Sequence, residues 1–169
     1  MRRKLLFLFI LVTIPATAAI VASPQDKKEF IGYRHKGVVY GEILPNGARD
    51  LGGGLLSNQN YGVSRFTKGK KYMLWLEKII SRDARSGVPN WEVKDVLMFD
   101  NLKKNQEFLF SYSSGCRQNG KENLDLIVMA ERKPKNSFKV LRAWRADTRR
   151  EKFEKISDKG IVCREAEEP

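Results

Sequence analysis

Few side chains in this chain could do covalent or metal chemistry. There is one histidine, His35, and there are two cysteines, Cys116 and Cys163. A zinc centre gathers several histidines and thiolates, and a nucleophilic relay needs a histidine beside a serine or cysteine. His35 lies in Arg34-His35-Lys36-Gly37, which reads as an exposed turn between two short strands, or as part of one irregular strand from Phe30 to Leu44. No Gly-x-Ser-x-Gly elbow occurs. Gly52-Gly53-Gly54 lacks the lysine and hydroxyl that complete a phosphate loop, and no Asp-rich calcium loop is present. Glycosidase carboxylates meet in space rather than along the chain, so an unrecognised hydrolase stays open as an alternative. The reading is a non-enzymatic protein without cofactor or metal.

Charge offers a second kind of chemistry. The chain has 32 Lys+Arg against 20 Asp+Glu, a net +12, which favours anionic partners. The densest basic run holds Arg132, Lys133, Lys135, Lys139, Arg142, Arg145, Arg149, Arg150, Lys152 and Lys155, opposed within it by Asp147, Glu151 and Glu154. On a strand pair, these cations and an exposed Trp144 would grip an anionic polymer or membrane surface by charge and stacking. The competing reading is a solvated sheet face with Trp144 in the core. Nucleic acid ranks low as a partner, because the chain carries an export signature.

That signature is the N-terminus. Met1-Arg2-Arg3-Lys4 is a basic lead, Leu5 to Ile14 an apolar run, and Pro15 with Ala16-Thr17-Ala18 a helix break and small-residue processing site. Residues 1–22 thus read as a signal peptide, cleaved after Ala18 or Ala22, with an uncleaved anchor as the alternative. Cleavage would leave a net charge of about +9 and no transmembrane segment, and would place the protein outside the cell or in the periplasm. In such a compartment an isolated cysteine pair reads as a disulfide. Closing the Cys116–Cys163 loop is worth on the order of 4 kcal/mol in the chain-entropy model.

These residues must be positioned by strands. Phe108, Phe110 and Tyr112 alternate with Leu109, Ser111 and Ser113, and Leu124, Leu126, Val128 and Ala130 repeat the pattern beyond Asn119-Gly120, a tight-turn dipeptide. Tyr72 to Ile80 is a long strand partly buried on both faces. Trp91 to Phe99 is a second, whose apolar phase slips near Asp95 and predicts a bulge, with a short helix over Val93 to Asn101 as the alternative. Phe138 to Ala146 is a third. Lys152 to Ile156 pairs back onto it, with a helix over Thr148 to Ser157 as the rival.

Ala48 to Thr67 is rich in glycine and asparagine and lacks clear periodicity, so it reads as a mobile loop or an irregular edge strand. As a binding loop it would offer Arg49, Asp50, Tyr61, Arg65 and Phe66. Residues 23–29 read as a flexible lead-in and 164–169 as a frayed tail.

The sum is all-β: an antiparallel meander of about seven strands in one domain (23–169), closed as a small barrel or packed as a sandwich, with one disulfide. The function read from it is binding of an anionic polymer or surface through the basic strand pair. A small apolar-ligand carrier with a barrel cavity is the alternative, drawn from aromatics such as Trp75, Trp91 and Phe110. The sequence does not fix the oligomeric state.

Overall fold

Long β-branched and aromatic runs separated by Gly, Pro, Asn and Asp turns leave this chain little choice but sheet. The computed structural model describes residues 27–100, 102–110, 115–134 and 137–164. Residues 1–26, which include the segment read as a signal peptide, Ser111 to Ser114, Lys135 and residues 165–169 lie outside them. The strands are β1 (Arg34–Lys36), β2 (Arg49–Leu55), β3 (Tyr61–Lys68), β4 (Lys71–Arg82), β5 (Pro89–Asp100), β6 (Gln106–Phe110), β7 (Arg117–Gln118), β8 (Lys121–Glu122), β9 (Leu126–Lys133), β10 (Ser137–Asp147), β11 (Lys152–Ile156) and β12 (Ile161–Val162). All pair antiparallel.

They form three sheets: β1-β5-β4-β3-β2, β11-β10-β9-β6 and the small β12-β7-β8. The five-stranded sheet curls into a half-barrel, and its two faces are buried differently. Tyr61, Val63, Leu74 and Leu76 pack against Phe108, Phe110, Ile127, Met129, Trp144 and Ala146 of the four-stranded sheet. This is a sandwich core with alternating strand positions turned inward. On the other face, within the curl, Phe66, Met73, Trp75, Val93, Val96 and Met98 form a second cluster, closed by Phe30, Leu44 and Ala48 of the N-terminal segment.

The predicted slip at Asp95 is a bulge: Leu76 faces Asp95 while Glu77 faces Val93. Its Asp95 carboxylate accepts from Val96 N–H and, across the sandwich, from Phe153 N–H at 2.8 Å. A local register fault thus becomes an inter-sheet tie. A second bulge, between Val140 and Arg142, shifts the face pattern of β10. Phe138, Val140 and Ala143 turn to the outer cluster while Trp144 and Ala146 turn to the sandwich core.

Cys116 and Cys163 are bonded. With Ile161 they cover Leu109, Leu126, Val128 and Ala130 on the outer face of the four-stranded sheet, so both faces of that sheet are buried. The turn between β7 and β8 holds Asn119 and Gly120, both at positive φ (52° and 75°), as a two-residue hairpin with the strands' own twist requires. β6 and β9 pair as expected, Phe108 opposite Met129 and Phe110 opposite Ile127.

Three expectations are corrected. His35 is in strand β1, opposite Trp91 of β5, not in an exposed turn: pairing with a strand distant in sequence overrides the local Lys36-Gly37 signal. Of the two readings of residues 48–67, the mobile loop is wrong and the irregular edge strand holds for β2 alone. These residues form the β2–β3 hairpin, with β2 at the sheet edge and β3 inside the sheet. Its glycines serve close packing: a Cβ on Gly53 would lie 2.6 Å from the Val63 carbonyl oxygen and 2.7 Å from Ser64 Cα. Residues 27–29 are not a loose lead-in, since Phe30 N–H bonds Lys27 O and Glu29 pairs with Lys68.

Candidate functional site

The period-2 alternation of β4 puts Met73, Trp75 and Glu77 on one face. The first two fill the apolar end of the curl, and Glu77 is the next step along it. β3 adds Ser64 and Gly62 beyond Phe66 on the same face. β1 brings His35 and β5 brings Trp91. Beyond the apolar cluster, these residues open into a cavity of about 560 Å³ lined from all five strands of the curled sheet. The lining also includes Asp50 and Gly52 to Leu55 of β2, the 37–40 segment, and Val88 with Pro89. This volume lies within the range of small-molecule sites.

The cavity floor is ionic and almost dry. His35 Nε2 donates to Glu77 Oε1 at 2.7 Å, with side-chain exposures of only 5% and 1%. His35 Nδ1 faces the Lys36 carbonyl at 2.7 Å. Both ring nitrogens therefore meet acceptors, the pattern an imidazolium satisfies. Burial pulls the imidazole down, but the hydrogen bond and charge of Glu77, with the Lys36 carbonyl, hold His35 above its ordinary value. Ser64 Oγ donates to Glu77 Oε2 at 2.6 Å. The ring of His35 packs edge-on to Phe66 and Trp75, which fixes its orientation.

Asp50 supplies a second buried carboxylate. A bulge in β2, where Asp50 faces Phe66 and Gly53 faces Ser64, lets Gly52 take φ +81° and turn its N–H onto Asp50 Oδ1. Burial pushes this carboxyl above its usual value, against the pull of the Gly52 N–H and of the His35 and Arg65 charges. Apolar and aromatic side chains form the rim, with Val39, Tyr40 and Leu55 exposed.

The order of these groups differs from that of a serine–histidine–carboxylate relay. Histidine, glutamate and serine are present, but the carboxylate sits in the middle. The serine proton is directed at Glu77, not at an imidazole that could remove it. No group of three or more His, Cys, Asp or Glu suited to a metal ion occurs among the described residues.

Of the five side chains offered by residues 48–67, only Asp50 lines the cavity. Arg49 is exposed and donates to Gly41 O. Phe66 is buried against Trp75, with ring centroids 4.0 Å apart. Arg65 lies over Phe110, and Tyr61 sits in the sandwich core with its hydroxyl on Glu151. Sequence reasoning missed Glu77, Ser64 and His35. The signal for Glu77 was present: a carboxylate on the buried phase of an otherwise apolar strand. His35 and Ser64 had none, because their partners are 42 and 13 residues away.

The basic cluster lies on β9, β10, β11 and the β10–β11 turn, and four of its described members are paired. Arg132 pairs with Glu107 and stacks over Phe138, Lys133 pairs with Glu131, and Arg145 and Arg150 share Glu154. Lys139, Arg142, Arg149, Lys152 and Lys155 are exposed. Trp144 is no stacking platform: it is 6% exposed and packs edge-on to Phe99 in the sandwich core. The indole fits there because the β10 bulge turns Trp144 inward.

Comparison with family models gives no match, and no curated protein or solved structure matches the chain.

Proposed function

We propose that this protein is an exported, non-enzymatic binding domain that takes a small ligand in the mouth of its half-barrel. The observation that carries this reading is the cavity itself. The curled sheet packs its apolar end with Phe66, Met73 and Trp75 but leaves the other end open above a buried, hydrogen-bonded His35–Glu77–Ser64 floor. A buried ion pair is a poor stabiliser compared with apolar packing of similar volume. Placing one at the base of an open cavity is therefore better explained by recognition than by stability. The mixture of apolar rim and few convergent polar groups is that of a ligand site.

Export rests on the basic, apolar and small-residue order of residues 1–22, and the Cys116–Cys163 bond suits an oxidising compartment. Binding of an anionic polymer by Lys139, Arg142, Arg149 and Lys152 is the weaker reading, since their strand pair lacks an exposed aromatic at Trp144 and carries its own carboxylates.

The test is a fragment screen followed by amide chemical shifts on labelled mature protein. Saturable binders should move the amides of Gly52, Gly53, Gly54, Ser64 and Glu77. Saturable binders that move only the β10–β11 amides would refute the reading.

A further inference from the structure

Counting donors and acceptors in the cavity identifies the class of ligand it suits. His35 has both ring nitrogens committed, to Glu77 and to the Lys36 carbonyl. The Ser64 hydroxyl proton is committed to Glu77. Asp50 is 5% exposed, lines the cavity, and uses Oδ1 for Gly52 N–H; among the described residues no hydrogen bond reaches its Oδ2. What the polar floor leaves open is therefore acceptor capacity at Asp50 Oδ2 and Ser64 Oγ, with the buried Glu77 adding its charge beneath.

The charges agree. Two carboxylates line the cavity and one imidazolium answers them. Arg65, the other nearby cation, does not line it: its guanidinium donates to Gly52 O and lies over Phe110 of the opposite sheet. Tyr40 and Trp91 add aromatic faces to the walls, and such faces attract cations.

We propose that the mouth cavity binds an organic cation, an alkylammonium or guanidinium group seated on Asp50, above the buried charge of Glu77 and beside the rings of Tyr40 and Trp91. This rests on the cavity being the ligand site. The net positive charge of the chain opposes approach, but solution ions screen that field within about 8 Å, whereas the acceptors act at contact.

The experiment titrates labelled mature protein, at constant ionic strength, with n-butylammonium, n-butanol and butyrate. Amide shifts are read at Gly52, Gly53, Gly54 and Ser64. The expected result is saturable binding of butylammonium alone. Asp50→Asn should weaken it about tenfold or more, through loss of a charge-assisted hydrogen bond. Tyr40→Ala, at a side chain too exposed to affect folding, should weaken it about threefold. Butanol or butyrate binding as tightly at the same amides would overturn the cation class and leave the cavity reading intact. An affinity for butylammonium unchanged in both variants would also overturn it. If none of the three probes moves those amides, both fall.

Discussion

At the scale of single residues, the strongest constraint is the His35–Glu77 pair. Each partner satisfies a charge that burial makes expensive. Removing one leaves the other uncompensated, so Glu77→Gln should destabilise the fold by about 3–5 kcal/mol in denaturant titration. Linkage gives the pair a pH signature. His35 is raised in the folded state, so its contribution is fully present below the unfolded value of about 6.5 and is lost as pH rises through the folded value. Stability measured upward from about pH 6 should therefore fall in the native protein, and this slope should disappear in His35→Gln. An unchanged slope in that variant would mean the imidazole is not charged in the folded molecule. Asp50, also raised, acts in the same direction in a more acidic window: its ionisation costs stability as pH climbs from the unfolded carboxylate value of about 3.9 through the folded one.

At the scale of elements, the fold depends on ties between sheets made at irregular positions. Glu151, in the β10–β11 turn at φ +53°, accepts from the Tyr61 hydroxyl at 2.7 Å and from Lys78 at 2.9 Å, with Lys94 at 3.5 Å. It clamps that turn to β3, β4 and β5. Lys78 and Tyr61 hold its carboxyl down at about 2. Because the folded value is depressed, this contribution is present above the unfolded value of about 4.3 and is lost as pH falls toward the folded one. Acid unfolding of Glu151→Gln should lack that component, a modest one because Glu151 is partly exposed. Gly53 is a tie of another kind, letting β2 lie close against β3. Gly53→Ala should cost about 1–3 kcal/mol and move the Ser64 resonances, because the new methyl meets Ser64 Oγ at 2.7 Å.

Much at this scale was legible in the sequence. The all-β class, the bulge at Asp95, the Asn119-Gly120 turn and the Cys116–Cys163 bond follow from alternation, turn chemistry and pairing of the only cysteines. The β2–β3 hairpin was not legible. Its glycines answer close approach between strands and a β-bulge, which resemble a loop when read locally.

At the scale of the whole molecule, the chain makes a sandwich from two sheets and leaves one of them curled around a second, incompletely filled interior. The apolar half of that interior could be read from the sequence as strand phases. The polar half could not, because His35, Asp50, Ser64 and Glu77 come from four strands and Glu77 sits next to residues that look like ordinary core. The basic cluster, prominent along the chain, lies on β9, β10 and β11, does not line the cavity, and is paired only in part by neighbouring carboxylates.

One spectrum separates the two readings. The protein has three tryptophans: Trp75 and Trp144 are buried in the two cores, and Trp91 lines the cavity. With 5-fluorotryptophan incorporated, a bound ligand should shift the Trp91 fluorine resonance saturably and leave that of Trp144 in place. A ligand that binds saturably while Trp91 stays fixed would contradict the account.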